Sequence, residues 1–241
     1  CDERAVQRYL NEGVGNPNCY LIGGGDMADS IIVTDKRYTK SQDDTKGQAI
    51  IDEQVDMIEH LLKPYKDRII GLGMGNHELT ILQRGGSHIM RRVAKRLNTV
   101  SLGYQWAIAV TFYHIDKKGK PNGHGKTLRL FGNHGWGGGT RTEGGSITKY
   151  SKHMLQYEAD MYFYGHDHKL DEALVTFMGI RGKKFIPKDK RLYLAGTFQK
   201  TFSMTDEPTW AETRGFHPAP IRGLNVYVQP TDSWFKIWSD L

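Results

Sequence analysis

Apolar positions recur along this chain at two different spacings, and glycine marks most of the places where the spacing changes. Val6 and Leu10, with Ala5 and Tyr9 beside them, fall on one face of a short helix. The turn Glu12-Gly13-Val14-Gly15-Asn16-Pro17 ends it, and Cys19-Tyr20-Leu21-Ile22 reads as a strand that runs into Gly23-Gly24-Gly25-Asp26. Residues 34 to 48 are polar and loop-like. Ile51, Val55, Ile58 and Leu62 then mark a helix that must stop before Pro64, since the residue ahead of a proline is driven out of helical conformation. A second strand, Arg68 to Met74, ends at Gly75-Asn76-His77-Glu78. Helical spacing returns from about Leu79 to Leu97, broken by Gly85-Gly86, and Trp106 to Ile115 is rich in strand formers. Pro121-Asn122-Gly123 is expected to turn the chain back into a strand, Thr127 to Phe131, which ends at Gly132-Asn133-His134. The pattern predicts a helix over 146–158 and then a strand, Met161 to Tyr164, ending at Gly165-His166-Asp167-His168. Further strands are predicted near 172–178, 191–196, 223–229 and 234–238.

No internal repeat and no linker interrupts this pattern, so one domain over residues 1–241 is expected. A domain of that length buries roughly 70–75% of the surface its unfolded chain exposes and needs no staple. The two cysteines, Cys1 and Cys19, cannot build a disulfide framework, and no apolar run is long enough to span a bilayer. The expectation is therefore a cytoplasmic protein with no membrane partner. Nothing at the opening Cys1-Asp2-Glu3-Arg4 resembles a signal segment. The net charge of +6 favours anionic partners in general, among them phosphorylated small molecules and nucleic acid.

Four predicted strands thus end in four clusters of metal-ligand residue types: Gly25-Asp26-x-x-Asp29, Gly75-Asn76-His77-Glu78, Asn133-His134-Gly135 and Gly165-His166-x-His168. Each alone has a plain structural reading. The first serves equally as a helix cap or turn, and a His-x-His at a strand end is commonly structural. Together they lie where α/β folds place their sites, outside the carboxyl ends of strands.

In this order the clusters resemble the calcineurin-like metallophosphoesterase superfamily, whose pattern runs D-x-H, G-D-x-x-D, G-N-H-E/D, a lone histidine, then G-H-x-H. The likeness covers Gly25 to His168. It implies an α/β (α+β) fold, a four-layer αββα sandwich, and hydrolysis of a phosphoester by a metal-activated water. It further implies that Asp26 bridges two ions, that Asn76, His134 and His166 complete the second ion's site, and that His168 belongs to the first. His77 is then no ligand but faces the substrate as a charge stabiliser or proton donor, with Asp29 holding its ring. Two divalent ions are implied, Mn²⁺ foremost, with Fe or Zn²⁺ also suited to mixed oxygen and imidazole donors. The family's first motif, Asp-x-His, is missing, so the first ion's site is incomplete. The expectation is a chain truncated ahead of Cys1 and lacking the family's first strand.

The substrate is less defined. Asp29 is followed by Ser30-Ile31, where the superfamily's protein phosphatases carry Arg-Gly, which argues against a phosphoprotein. A phosphodiester, a nucleotide or nucleic acid is expected. The run Arg91-Arg92-x-x-Lys95-Arg96 reads either as a track for a phosphate backbone or as a solvated helix face. The loop Gly135 to Gly145 lacks the lysine and hydroxyl pattern of a nucleotide P-loop, and Arg141 within it is a candidate grip on the substrate phosphate. Gly215 to Pro220 reads as a rigid turn. Two other classes stay open. One is a degenerate, one-metal or non-catalytic binding protein, against which His77 and Asp29 speak. The other is a zinc-dependent amide hydrolase, which has no use for an asparagine ligand.

Overall fold

A computed structural model describes residues 1–30, 49–138, 140, 142, 144–232 and 234–241. The polar stretch 34–48 and Arg141 lie outside the described residues. The chain is of mixed α/β type and forms two compact units, Val6–Trp106 and, with Cys1–Ala5, Ala107–Leu241.

The first unit is built on a three-stranded parallel sheet in the order β1 (Leu21–Gly23), β2 (Ile69–Gly73), β3 (Ser101–Gly103). Most of helix α1 (Glu3–Glu12) belongs to this unit, with α2 (Ala49–Leu62), α3 (Asn76–Gly85) and α4 (Ile89–Leu97). Helix α2 stops where the pattern requires, because Pro64 starts a 3-10 turn, Lys63–Arg68. In α4 the apolar positions Ile89, Met90, Val93, Ala94 and Leu97 are all buried, against Val55, Ile58 and Leu62 of α2 and Leu72 of β2 in one core. Burying each large side chain contributes about 1.5–3 kcal/mol, so this stripe sets where α4 lies. The basic face of α4 is not a bare cationic track: Arg92 pairs with Asp52, and Arg96 pairs with Asp56 and, at 3.0 Å, with Glu59, all on α2.

The second unit holds a five-stranded sheet in the order β4 (Gln105–Ile115), β5 (Pro121–Asn133), β6 (Met161–Tyr164), β8 (Lys184–Ala195), β7 (Leu170–Arg181). The unit boundary falls near the start of β4. Strands β5, β6 and β8 are parallel, and β7 runs antiparallel to β8 at the edge. Short helices α5 (Gly145–Ser151), α6 (His153–Gln156) and α7 (Trp210–Thr213) follow the chain order, and β9 (Val226–Pro230) with β10 (Phe235–Ser239) forms a separate antiparallel hairpin. The core is aromatic: Tyr150 of α5 stacks on Tyr164 of β6 at 4.1 Å, beside Phe131, Tyr162, Leu192 and Leu194. No helix among the described residues is long and apolar enough to cross a membrane.

Three local expectations are corrected. The turn between β4 and β5 is not at Pro121-Asn122-Gly123, where β5 already begins. It lies at Asp116–Lys120, where Asp116 Oδ1 accepts from the Lys118 and Lys120 amides at 2.8 Å and Gly119 takes φ +74°. The helix expected over 146–158 is two short helices that meet at Lys152. The strands near 172–178 and 191–196 are the inner ends of a longer hairpin, whose outer half has little burial to impose a period.

Candidate functional site

In the first unit, β1 and β2 end side by side and deliver the Gly-Asp and Gly-Asn-His-Glu segments to the same place. Gly75 has to be glycine: a Cβ there would lie 2.0 Å from Asp26 Oδ1, and one on Gly25, at φ +94°, would lie 2.5 Å from the Gly75 nitrogen. The glycine requirement thus comes from the two turns packing on each other. Glu78, one turn into α3 and fully buried, holds them there. Its Oε2 accepts from the amides of Gly75 at 2.8 Å and Asp26 at 3.0 Å, and its Oε1 accepts from Ala28 at 2.9 Å. Burial first, and then the charge of Asp26, push the Glu78 carboxyl above its ordinary range, opposed by those amide bonds.

Asp26 Oδ1 accepts the His77 amide at 2.9 Å. The His77 ring points between the two aspartates. Its Nδ1 lies 2.7 Å from the Asp29 backbone carbonyl and 3.6 Å from the Asp29 carboxylate, and its Nε2 lies 3.9 Å from Asp26 Oδ2. A carbonyl oxygen can only accept, so Nδ1 carries the hydrogen and Nε2 is the atom that exchanges a proton. Asp29 therefore positions the ring through its main chain at least as closely as through its side chain. Asn76 begins α3, half-buried, and its carbonyl accepts from Thr80 Oγ1 at 2.8 Å. Tyr104, near Asp26, has its phenol pushed up to about 12 by burial and by that carboxylate's charge.

In the second unit, β5 and β6 end at His134 and His166. The rings meet edge to face with centroids 5.4 Å apart, and His134 is buried to 3% exposure. The two loops are joined by the Gly165 amide donating to the His134 carbonyl at 3.0 Å. His166 Nε2 lies 2.5 Å from the Gly137 carbonyl oxygen and so donates to it, which makes Nδ1 the nitrogen suited to ligation. His168 Nδ1 is 3.1 Å from Thr197 Oγ1. Between the two histidines, the Asp167 side chain is 1% exposed and pairs with Lys149 of α5 at 2.7 Å, while Lys149 also donates to the Trp136 carbonyl at 3.1 Å. The second Asp167 oxygen is buried with no hydrogen-bond partner among the described residues. Lys149 thus ties the loop after β5 to the loop after β6.

Asp26, Asp29, Asn76 and His77 therefore come together within one unit, and His134, His166 and His168 lie on adjacent strand ends of the other. Sequence reasoning gave no role to Tyr104, Lys149 or Asp167, and named Glu78 only as a member of the Gly75-Asn76-His77-Glu78 cluster. Glu78 alone left a trace, its place three residues after the capping glycine. Each unit holds donors of the type a divalent transition ion takes: in one, a carboxylate that accepts an amide, and in the other, an imidazole whose second nitrogen is committed to a backbone carbonyl. Backbone strain marks the same positions, since Asp26, His166 and His168 take φ of +52°, +63° and +55°. Compared with models of protein families and with curated proteins, the chain matches none.

Proposed function

We propose that this chain is a metal-dependent phosphoesterase of the calcineurin-like type, with a four-layer αββα arrangement, acting on a phosphodiester, nucleotide or nucleic acid. The observation that carries the reading is His166, whose Nε2 donates to the Gly137 carbonyl and so offers Nδ1 beside the His134 ring. His134 and His166, on adjacent strand ends, are proposed as ligands of one divalent ion, with Asp26 joining them as the order of the sequence motifs implies. Asn76 as a further ligand, and a second ion using His168, belong to the same proposal. Such an ion, when bound, lowers the pKa of a water and withdraws charge from a phosphoryl oxygen.

The chain's own residues do the rest. Asp29 holds Nδ1–H of His77, so that a protonated Nε2 can give its hydrogen to the departing oxygen. Glu78 fixes the Asp26 turn through three amides and keeps the carboxylate from swinging away. Lys149 and Asp167 keep the two histidine loops in register. Arg141 is proposed as a grip on the substrate phosphate.

Hydrolysis of bis(p-nitrophenyl) phosphate and of p-nitrophenyl phosphate, with and without added Mn²⁺, tests the reading. Mn²⁺-dependent release of nitrophenol is expected, lost together with bound metal in His134→Ala and His166→Ala. His77→Ala is expected to keep metal and lose about 10²–10⁴-fold in rate. Full metal content in both ligand variants, read by elemental analysis, sinks the assignment.

A further inference from the structure

The β7–β8 hairpin outgrows its sheet. Strand β6 pairs with β8 only over Arg191–Leu194, whereas β8 and β7 stay paired out to Lys184 and Arg181. The outer part is thus a two-stranded ribbon, of a kind only marginally stable by itself. Its two faces differ. Ile180 pairs with Phe185 and Met178 with Pro187, and strand alternation puts these on one face, where Ile180 is 73%, Phe185 71% and Met178 58% exposed. Lys184 and Lys188 stand on the opposite face, and Lys183 sits in the turn, all exposed. Residues 175–190 hold five lysines and arginines against one aspartate, a large part of the chain's net +6.

We propose that this ribbon docks on an anionic phospholipid surface, apolar face inward, with the tip lysines at the headgroups. The segregation decides among partners. Nucleic acid needs cations and stacking rings on the same face. Here Lys184 and Lys188 lie opposite the exposed Ile180, Phe185 and Met178, and the ring on their own face, Phe177, is half-buried and covered by Lys190 at 4.5 Å, so it offers no open stacking platform; the charge is almost all of one sign. That is the amphipathic arrangement of an element lying in a membrane interface, and it requires no spanning segment. The proposal is independent of the reading of the metal-ligand residues.

Cosedimentation of the full chain with phosphatidylcholine vesicles, with and without phosphatidylserine, tests this. Binding is expected only with the anionic lipid and should be lost at high salt. Ile180→Glu with Phe185→Glu should abolish it, and Lys183→Glu with Lys184→Glu should weaken it about tenfold or more, as the loss of surface-bound cations requires. All four positions are exposed, so both variants should keep the wild-type circular dichroism and the wild-type rate on the soluble chromogenic ester. The proposal is overturned if the wild type ignores anionic vesicles, or if the glutamate pair at 180 and 185 still binds them. It is equally overturned if that pair instead abolishes binding to a single-stranded oligonucleotide, or turns a wild-type dimer into a monomer in light scattering.

Discussion

A left-handed backbone at a side chain with a Cβ costs on the order of 1–2 kcal/mol, and His166 and His168 both bear it, at φ +63° and +55°. Glycine escapes that cost, so the usual order of the two small residues should invert here. His166→Gly and His168→Gly are each expected to be more stable than the matching alanine variants by about 1 kcal/mol, read from urea unfolding midpoints. Alanine proving equal or better would mean that these conformations carry no strain. Glu78 offers the complementary test. Glu78→Ala strands three amides in a buried turn, and a loss of about 3 kcal/mol or more is expected, whereas Glu78→Gln keeps one acceptor oxygen and should lose less. A Glu78→Gln variant as stable as the wild type, beside a destabilised Glu78→Ala, would show that the side chain fills space and does not hold the amides.

Helix α6 illustrates how pH enters through an element. His153 opens it, with Nδ1 2.7 Å from the Tyr164 hydroxyl and the ring 5.0 Å from Trp136. Burial, and then the charge of Lys152, lower its pKa. A histidine whose folded pKa is depressed takes up its proton more readily in the unfolded chain. Its stabilisation is therefore present above the ordinary value of about 6.5 and is lost as the pH falls below it. His153→Gln should flatten the acid side of the Tm against pH curve, and an unchanged slope would remove His153 from the account. Elements of this kind also show what the sequence could reveal. The ends of β1, β2, β5 and β6 were legible because buried apolar runs stop at glycine, and those ends carry every described ligand candidate. The break at Lys152, the turn at Asp116 and the outer half of the β7–β8 hairpin were not, since side-chain capping and exposed pairing leave no apolar period. Asp167 was hidden for another reason, as its partner Lys149 lies 18 residues earlier and only packing brings the two together.

At the scale of the whole molecule, the five-stranded sheet mixes near and distant neighbours. The β4–β5 and β7–β8 pairs are hairpins closed by short turns, while β6 is a four-residue strand lying between them and parallel to both of its neighbours. Hairpins form in about 1–10 μs, whereas pairings between distant segments must first close long loops. Strand β6 is thus the piece whose arrival turns two separate ribbons into one sheet. Met161→Ala in β6, at 3% exposure, should destabilise by about 2–5 kcal/mol, and most of that should appear as slower folding, with a φ-value above about 0.5. A change confined to the unfolding rate would place the insertion after the barrier. The same order of events has a consequence for synthesis. Because β6 follows β5 by fewer than 30 residues while β8 comes later still, the sheet's middle must wait in the nascent chain for its second neighbour, and a chain stalled between Tyr164 and Lys184 presents the aromatic edge Met161-Tyr162-Phe163-Tyr164 to whatever chaperone or aggregate meets it first.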